Sequence, residues 1–172
     1  GHSMGGMVVQ EIVKQAPHRV DKLVLYATGP QGCIPGRFET MARSRERLRE
    51  DGVQKTAKRI SATWLLDRED SPAFEALASL ATQASEQAAG AGLNAMESWD
   101  GREHLGRIEQ PTLVIWGERD RTYGWSQIEI LWRGIPRASL AVLPACAHAV
   151  HLERSALFCT ILVEFLTAKE DR

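Results

Sequence analysis

The stretch Gly1-His2-Ser3-Met4-Gly5-Gly6 (GHSMGG, residues 1–6) sets a serine between glycines in the pattern G-x-S-x-G. A helical pattern follows directly. From residue 5 to residue 16 the apolar side chains Met7, Val8, Ile12 and Val13 recur at helical spacing, and Pro17 stops the run. This order describes a serine on a sharp turn from a strand into a helix. Small residues two before and two after it leave room for strained backbone angles. The turn would expose the Ser3 oxygen, and the helix would aim its leading N–H groups at the same place. The N–H of Met4 is then a candidate donor to an oxyanion. Taken alone, the five residues also fit a flexible glycine-rich segment, so the rest of the chain decides.

That rest alternates. Leu23 to Ala27 is a short apolar run bounded by Gly29 and Pro30, as in a strand buried on both faces of a parallel sheet. A second run, Thr112 to Trp116, ends at Gly117, and a third, Leu140 to Leu143, is broken by Pro144. Helical patterns fall around Trp125 to Arg133 and from Ser155 to Ala168, the latter with Leu157, Ile161, Leu162 and Phe165 on one face. Between the first and second strands the pattern changes. RFETMARSRERLRE, GVQKTAKRISATWLL and SPAFEALASLATQASEQAA each read as an amphipathic helix, the last with Ser71 as N-cap and Pro72 at the first helical position. The expected fold is α/β: parallel strands with flanking helices and a helical insertion.

Composition excludes several roles. The chain has 172 residues, with 21 Lys and Arg against 22 Asp and Glu, for a formal net charge of −1. That balance gives no electrostatic case for nucleic acid or an anionic membrane. No apolar run is long enough to span a bilayer, and no basic region followed by an apolar stretch suggests a signal peptide. Cys33, Cys146 and Cys159 are widely spaced and odd in number, which fits a reducing, cytoplasmic setting better than a disulfide framework. The five histidines form no metal-ligand pattern, and no metal or cofactor is expected.

A serine hydroxyl needs a base, and the base needs an orienting carboxylate. Where the serine stands on such a strand-to-helix elbow, the acid and then the histidine follow it along the chain, in loops at the carboxyl ends of later strands. Asp120 stands just past the second strand, ahead of Glu118, Asp67, Asp70 and Asp100, whose contexts suggest surface or loop-bracing roles. The loop after the third strand offers His148 and His151. Spacing favours His148, because His151 can instead open the final helix. His18 and His104 read as surface residues and Cys146 as a small buried thiol. His2 and Trp125 are candidate substrate contacts, and Trp64 and Trp99 could also line a pocket.

With these residues in place the chain resembles the α/β-hydrolase superfamily. GHSMGG is similar to its nucleophile elbow, PTLVIWGERD to its acid-bearing strand and loop, and ACAHAVHLE to its histidine loop. The resemblance runs nearly the whole chain and implies Ser3 as nucleophile, Asp120 as orienting acid, His148 as general base and Glu153 in a structural role. It implies a core from residues 1–30 and 108–172, with residues 31–107 as the helical cap. The substrate would be a small carboxylic ester, lactone or related carbonyl compound. SMGG and HAVHLE look most like the enol-lactonase and meta-cleavage-product hydrolase branch. The superfamily also includes C–C bond hydrolases, haloperoxidases and non-catalytic receptors. Two features depart from its pattern: Ala145 and Ala147 replace usual glycines, and DRTY (residues 120–123, opening on Asp120) stands where a proline-containing stretch after the acid is commoner. The family's strands before the elbow, and the loop that gives a second oxyanion donor, have no counterpart here. With Gly1 rather than Met first, the chain reads as the portion of a larger enzyme from the elbow onward. Such an elbow is expected to have its helix but no preceding strand, and to show little activity alone.

Overall fold

The structure, a computed structural model, describes residues 1–34, 36 and 39–169. Arg37 and Phe38, at the front of the first expected cap helix, lie outside the described residues. Three strands, β1 (Leu23–Tyr26), β2 (Thr112–Gly117) and β3 (Ala138–Leu143), form a parallel sheet in the order β1-β2-β3. Leu23 faces Thr112, and Thr112 faces Ala138, so the strands start level and their carboxyl ends open on one edge.

Alternation explains the packing. Leu23, Leu25 and Val114 point to one face, where Met7 and Val13 of α1 (Met4–Gln15) meet Ile128 and Leu131 of α5 (Trp125–Gly134). Tyr26, Leu113, Ile115 and Leu143 point to the other, against Phe158, Ile161 and Phe165 of α7 (Ser155–Thr167), which follows the one-turn α6 (Val150–Glu153). Apolar side chains on both faces of β1 and β2 are what a sheet covered on both sides requires. β3 differs from the expected buried strand: it pairs with β2 alone among the described residues, and Val142 is exposed. On α7 the packed stripe is Phe158, Ile161 and Phe165, each partly buried, and Leu157 faces solvent.

The insertion between β1 and β2 holds α2 (Met41–Thr63), α3 (Phe74–Ala81) and α4 (Glu86–Ser98). Two expected helices are joined as α2, but Gly52 breaks the helical angles with φ 72° and ψ 172°. The positive φ suits glycine, so the sequence break and the kink coincide. The last expected cap helix is instead two. Ser85 caps α4 by accepting from the Ala88 N–H at 3.1 Å, which separates it from α3. Ser71 is not the cap of α3, which begins at Phe74 with Ala73 ahead of it. Ser71 and Pro72 shape the preceding turn, where the Ser71 carbonyl accepts from the Phe74 N–H at 2.9 Å. The insertion meets the core at a cluster of Ala62, Leu65, Phe74, Ala78 and Ala149. No helix among the described residues is long and apolar enough to cross a membrane.

Candidate active site

Ser3 lies where the chain enters α1, with φ 52° and ψ −122°. The positive φ costs energy for a residue with a Cβ, so the surroundings must hold it. They do so from three sides. Residues 1–3 run parallel to β1: the Tyr26 N–H donates to the Gly1 carbonyl and the Ser3 N–H to the Tyr26 carbonyl, each at 3.0 Å. The Ser3 carbonyl accepts from the Gly6 N–H at 2.9 Å and from the Thr28 hydroxyl at 2.6 Å. Residues 1–3 thus form an isolated bridge to β1 rather than a further strand of the sheet, and β1 holds the elbow together with its helix. The glycines also divide differently. A Cβ on Gly1 would fall 2.3 Å from the Gly5 carbonyl oxygen, and one on Gly6 would fall 2.4 Å from the Thr28 side chain, whereas Gly5 has open space. Met4 is the first residue of α1, so its N–H belongs to the leading groups that have no acceptor within the helix.

Asp120 follows β2. Its Oδ1 accepts from the Thr122 and Tyr123 N–H groups at 2.7 and 3.2 Å, and its Oδ2 faces His148 Nδ1 at 2.9 Å. Both side chains of the pair are fully buried. A carboxylate accepts only, so Nδ1 donates and, in the neutral ring, Nε2 carries the lone pair. Nε2 is buried and has no hydrogen-bond partner among the described residues, Ser3 Oγ included. A buried acceptor left open on an oriented imidazole is suited to taking a proton from a hydroxyl brought to it.

The competing residues have other partners. His151 Nδ1 is hydrogen-bonded to the Tyr26 hydroxyl at 2.5 Å, and the same oxygen accepts from the His151 N–H at 3.1 Å. Glu118 accepts from the Ala145 N–H at 3.0 Å and touches Arg119. Cys146 is buried and donates to the Leu143 carbonyl, and burial pushes its thiol up to about 11, so it carries no thiolate near neutrality.

Rings enclose His148. Trp64 lies 5.1 Å away, Tyr123 is stacked at 5.8 Å, and His2 is at 4.6 Å. His2 is not without partners. Its ring stacks on Tyr26 and its Nε2 donates to the His148 carbonyl at 3.2 Å. Burial, then the neighbouring His148, lowers its pKa to about 3, so it stays a neutral donor. Trp125 is not in this group: it is half exposed and packs on Trp116 and Trp132. Trp99 instead donates to Glu11 and lines a separate cavity of about 250 Å³ with Gln10, Lys14 and Arg107. The sequence reading missed Tyr26 and Thr28 altogether. Their only signal was a polar tip ending, and a hydroxyl just beyond, an otherwise apolar strand. Among the described residues no group of three or more His, Cys, Asp and Glu side chains could hold a metal ion.

Residues 1–160 match the family model described as the alpha/beta hydrolase family, and the chain belongs to that family. It is 31% identical over 167 residues to the pimeloyl-[acyl-carrier protein] methyl ester esterase of Nitrosomonas europaea, covering 88% of this chain and 64% of the relative. It is 27% identical over 179 residues to the 2-hydroxy-6-oxononadienedioate/2-hydroxy-6-oxononatrienedioate hydrolase 1 of Dechloromonas aromatica, covering 97% of this chain and 61% of that one. An esterase from Exiguobacterium antarcticum superposes with a TM-score of 0.88 at 19% identity, over 98% of this chain and 65% of its own, which shows the shared fold. The chain thus spans about two thirds of the length of the proteins it resembles. A partial α/β-hydrolase fold, with a parallel sheet and flanking helices, accounts for that share.

Proposed function

We propose that the protein is a serine hydrolase of a small carboxylic ester, lactone or related carbonyl compound, with Ser3 as nucleophile, His148 as general base and Asp120 as its orienting acid. The carrying observation is the fully buried Asp120–His148 pair at 2.9 Å, which leaves His148 Nε2 as the open acceptor. In this reading Ser3 Oγ attacks the carbonyl carbon as Nε2 takes its proton. The oxyanion forms against the N–H of Met4, and the leaving alcohol takes the proton back from His148. Water, deprotonated by the same nitrogen, then releases the acid from Ser3. Residues 31–107 act as a cap between the core segments 1–30 and 108–172, with Trp64 at the roof of the site. The family, and an esterase and a hydrolase among the relatives, support the reaction class. The enol-lactonase and meta-cleavage-product hydrolase branch remains the narrower proposal.

The test is labelling of the protein that carries this chain with a fluorophosphonate, alongside hydrolysis of p-nitrophenyl acetate. Steady turnover and label on Ser3, both lost in Ser3→Ala, are the expected result. Turnover that survives Ser3→Ala would sink the reading. A single slow turnover with the ligand retained would point to a receptor on the same fold.

A further inference from the structure

In DRTY (residues 120–123), which departs from the family's pattern, Arg121 directly follows the acid and takes no part in the reaction just described, yet it is tied down. Arg121 donates Nη1 to the Leu65 carbonyl at 3.0 Å and Nη2 to the Leu66 carbonyl at 3.1 Å. The same three-residue turn of the cap is bonded to the histidine loop. The Ala149 N–H donates to the Trp64 carbonyl at 2.9 Å. The Glu153 carboxylate accepts from the Leu66 N–H at 2.6 Å with one oxygen and from the Ala147 N–H at 2.7 Å with the other. The neighbour of Asp120 and both neighbours of His148 are thus fixed, directly or through Glu153, to the main chain of Trp64–Leu66. Leu65 is fully buried beside Ala149, so the turn is itself anchored.

We infer that Arg121 and Glu153 are positioning residues: through the main chain of Trp64–Leu66 they set the acid loop and the histidine loop against each other, and so set the Asp120–His148 hydrogen bond. The cap is then part of the machinery that aims the base, besides covering the substrate. The physical ground is that Asp120 and His148 stand on separate loops after separate strands. A shared third body fixes two loops better than each loop's own turn, and small misplacement of a catalytic group is costly.

The inference rests on the catalytic reading above, and its test separates the two. Arg121→Met removes both donors and keeps most of the stem, Glu153→Gln removes one of two acceptor oxygens, and Arg121→Lys restores one donor. With p-nitrophenyl acetate, too small to depend on a shaped pocket, both disruptive variants should lose kcat on the order of 10- to 100-fold with KM little changed. Arg121→Lys should recover part of it. A downfield proton resonance from His148 Nδ1–H is expected in the unsubstituted protein and should weaken or vanish in Arg121→Met and Glu153→Gln. Unchanged kcat and an unchanged resonance would overturn the inference, as would effects confined to KM or melting temperature. If the unsubstituted protein shows no labelling at Ser3, the catalytic reading fails and the resonance alone decides: its persistence in both variants, or its absence from the unsubstituted protein, overturns the positioning role.

Discussion

The Thr28 hydroxyl donates to the Ser3 carbonyl at 2.6 Å, from the place that a Cβ on Gly6 would occupy. The sixth residue of GHSMGG is a glycine so that β1's end can brace the strained serine. Gly6→Ala should push Thr28 aside, destabilising the fold by about 1–3 kcal/mol as an overpacked contact and loosening Ser3. Gly5→Ala, with open space around it, should be nearly silent. Thermal melts of the two variants make the comparison.

Asp120 and Glu118 stand two residues apart and do different things. Asp120→Asn should lower kcat by about 10⁴-fold with the fold intact, because the amide would favour the wrong imidazole tautomer. Glu118→Gln should keep kcat within a few-fold and show itself mainly in stability, through the Ala145 contact. Comparable losses of kcat in the two variants would remove Asp120 from its role.

Ala145 adopts φ 51°, in the left-handed region where the family commonly has glycine. Ala145→Gly relieves a cost of about 1–2 kcal/mol in the folded loop, partly offset by greater freedom in the unfolded chain. A melting temperature that rises, by the equivalent of about 0.5–1 kcal/mol, is the expected outcome.

His2 gives the protein an acid limit. Its pKa falls from 6.5 to about 3 on folding, so below 6.5 the unfolded chain binds a proton that the folded chain refuses. Stability should therefore fall as pH drops from about 6.5 toward 3, by at most about 1.4 kcal/mol per pH unit for this residue. His151, lowered by burial and by His148, adds in the same direction. His2→Gln can still donate to the His148 carbonyl but does not titrate. Its denaturation midpoints should depend less on pH over that range than those of the unsubstituted protein.

Much of this was legible in the residues themselves. Apolar runs without alternation mark β1 and β2, and the positions after β2 and β3 single out Asp120 and His148, which the fold brings to 2.9 Å of each other. What was not legible is long-range. Nothing local says that Tyr26, ending an apolar strand, will bond to His151, or that the His2 ring will stack on Tyr26 and donate to the His148 carbonyl. The split between α3 and α4 turned on Ser85, whose capping role was outweighed in the sequence by a continuous run of good helix formers. The exposure of β3 depends on which strands lie beside it, which no short pattern encodes.

The bonds that join the insertion to the core at Trp64–Leu66 use main-chain atoms on the insertion's side. They offer a seam for exchange. A helical block of different sequence, from a relative or by design, needs only to carry its backbone through the same turn and fill the space of Leu65 to meet the same donors and acceptors. Substrate preference could then be rebuilt on one side of that seam while Arg121, Glu153 and the residues they serve are left untouched on the other.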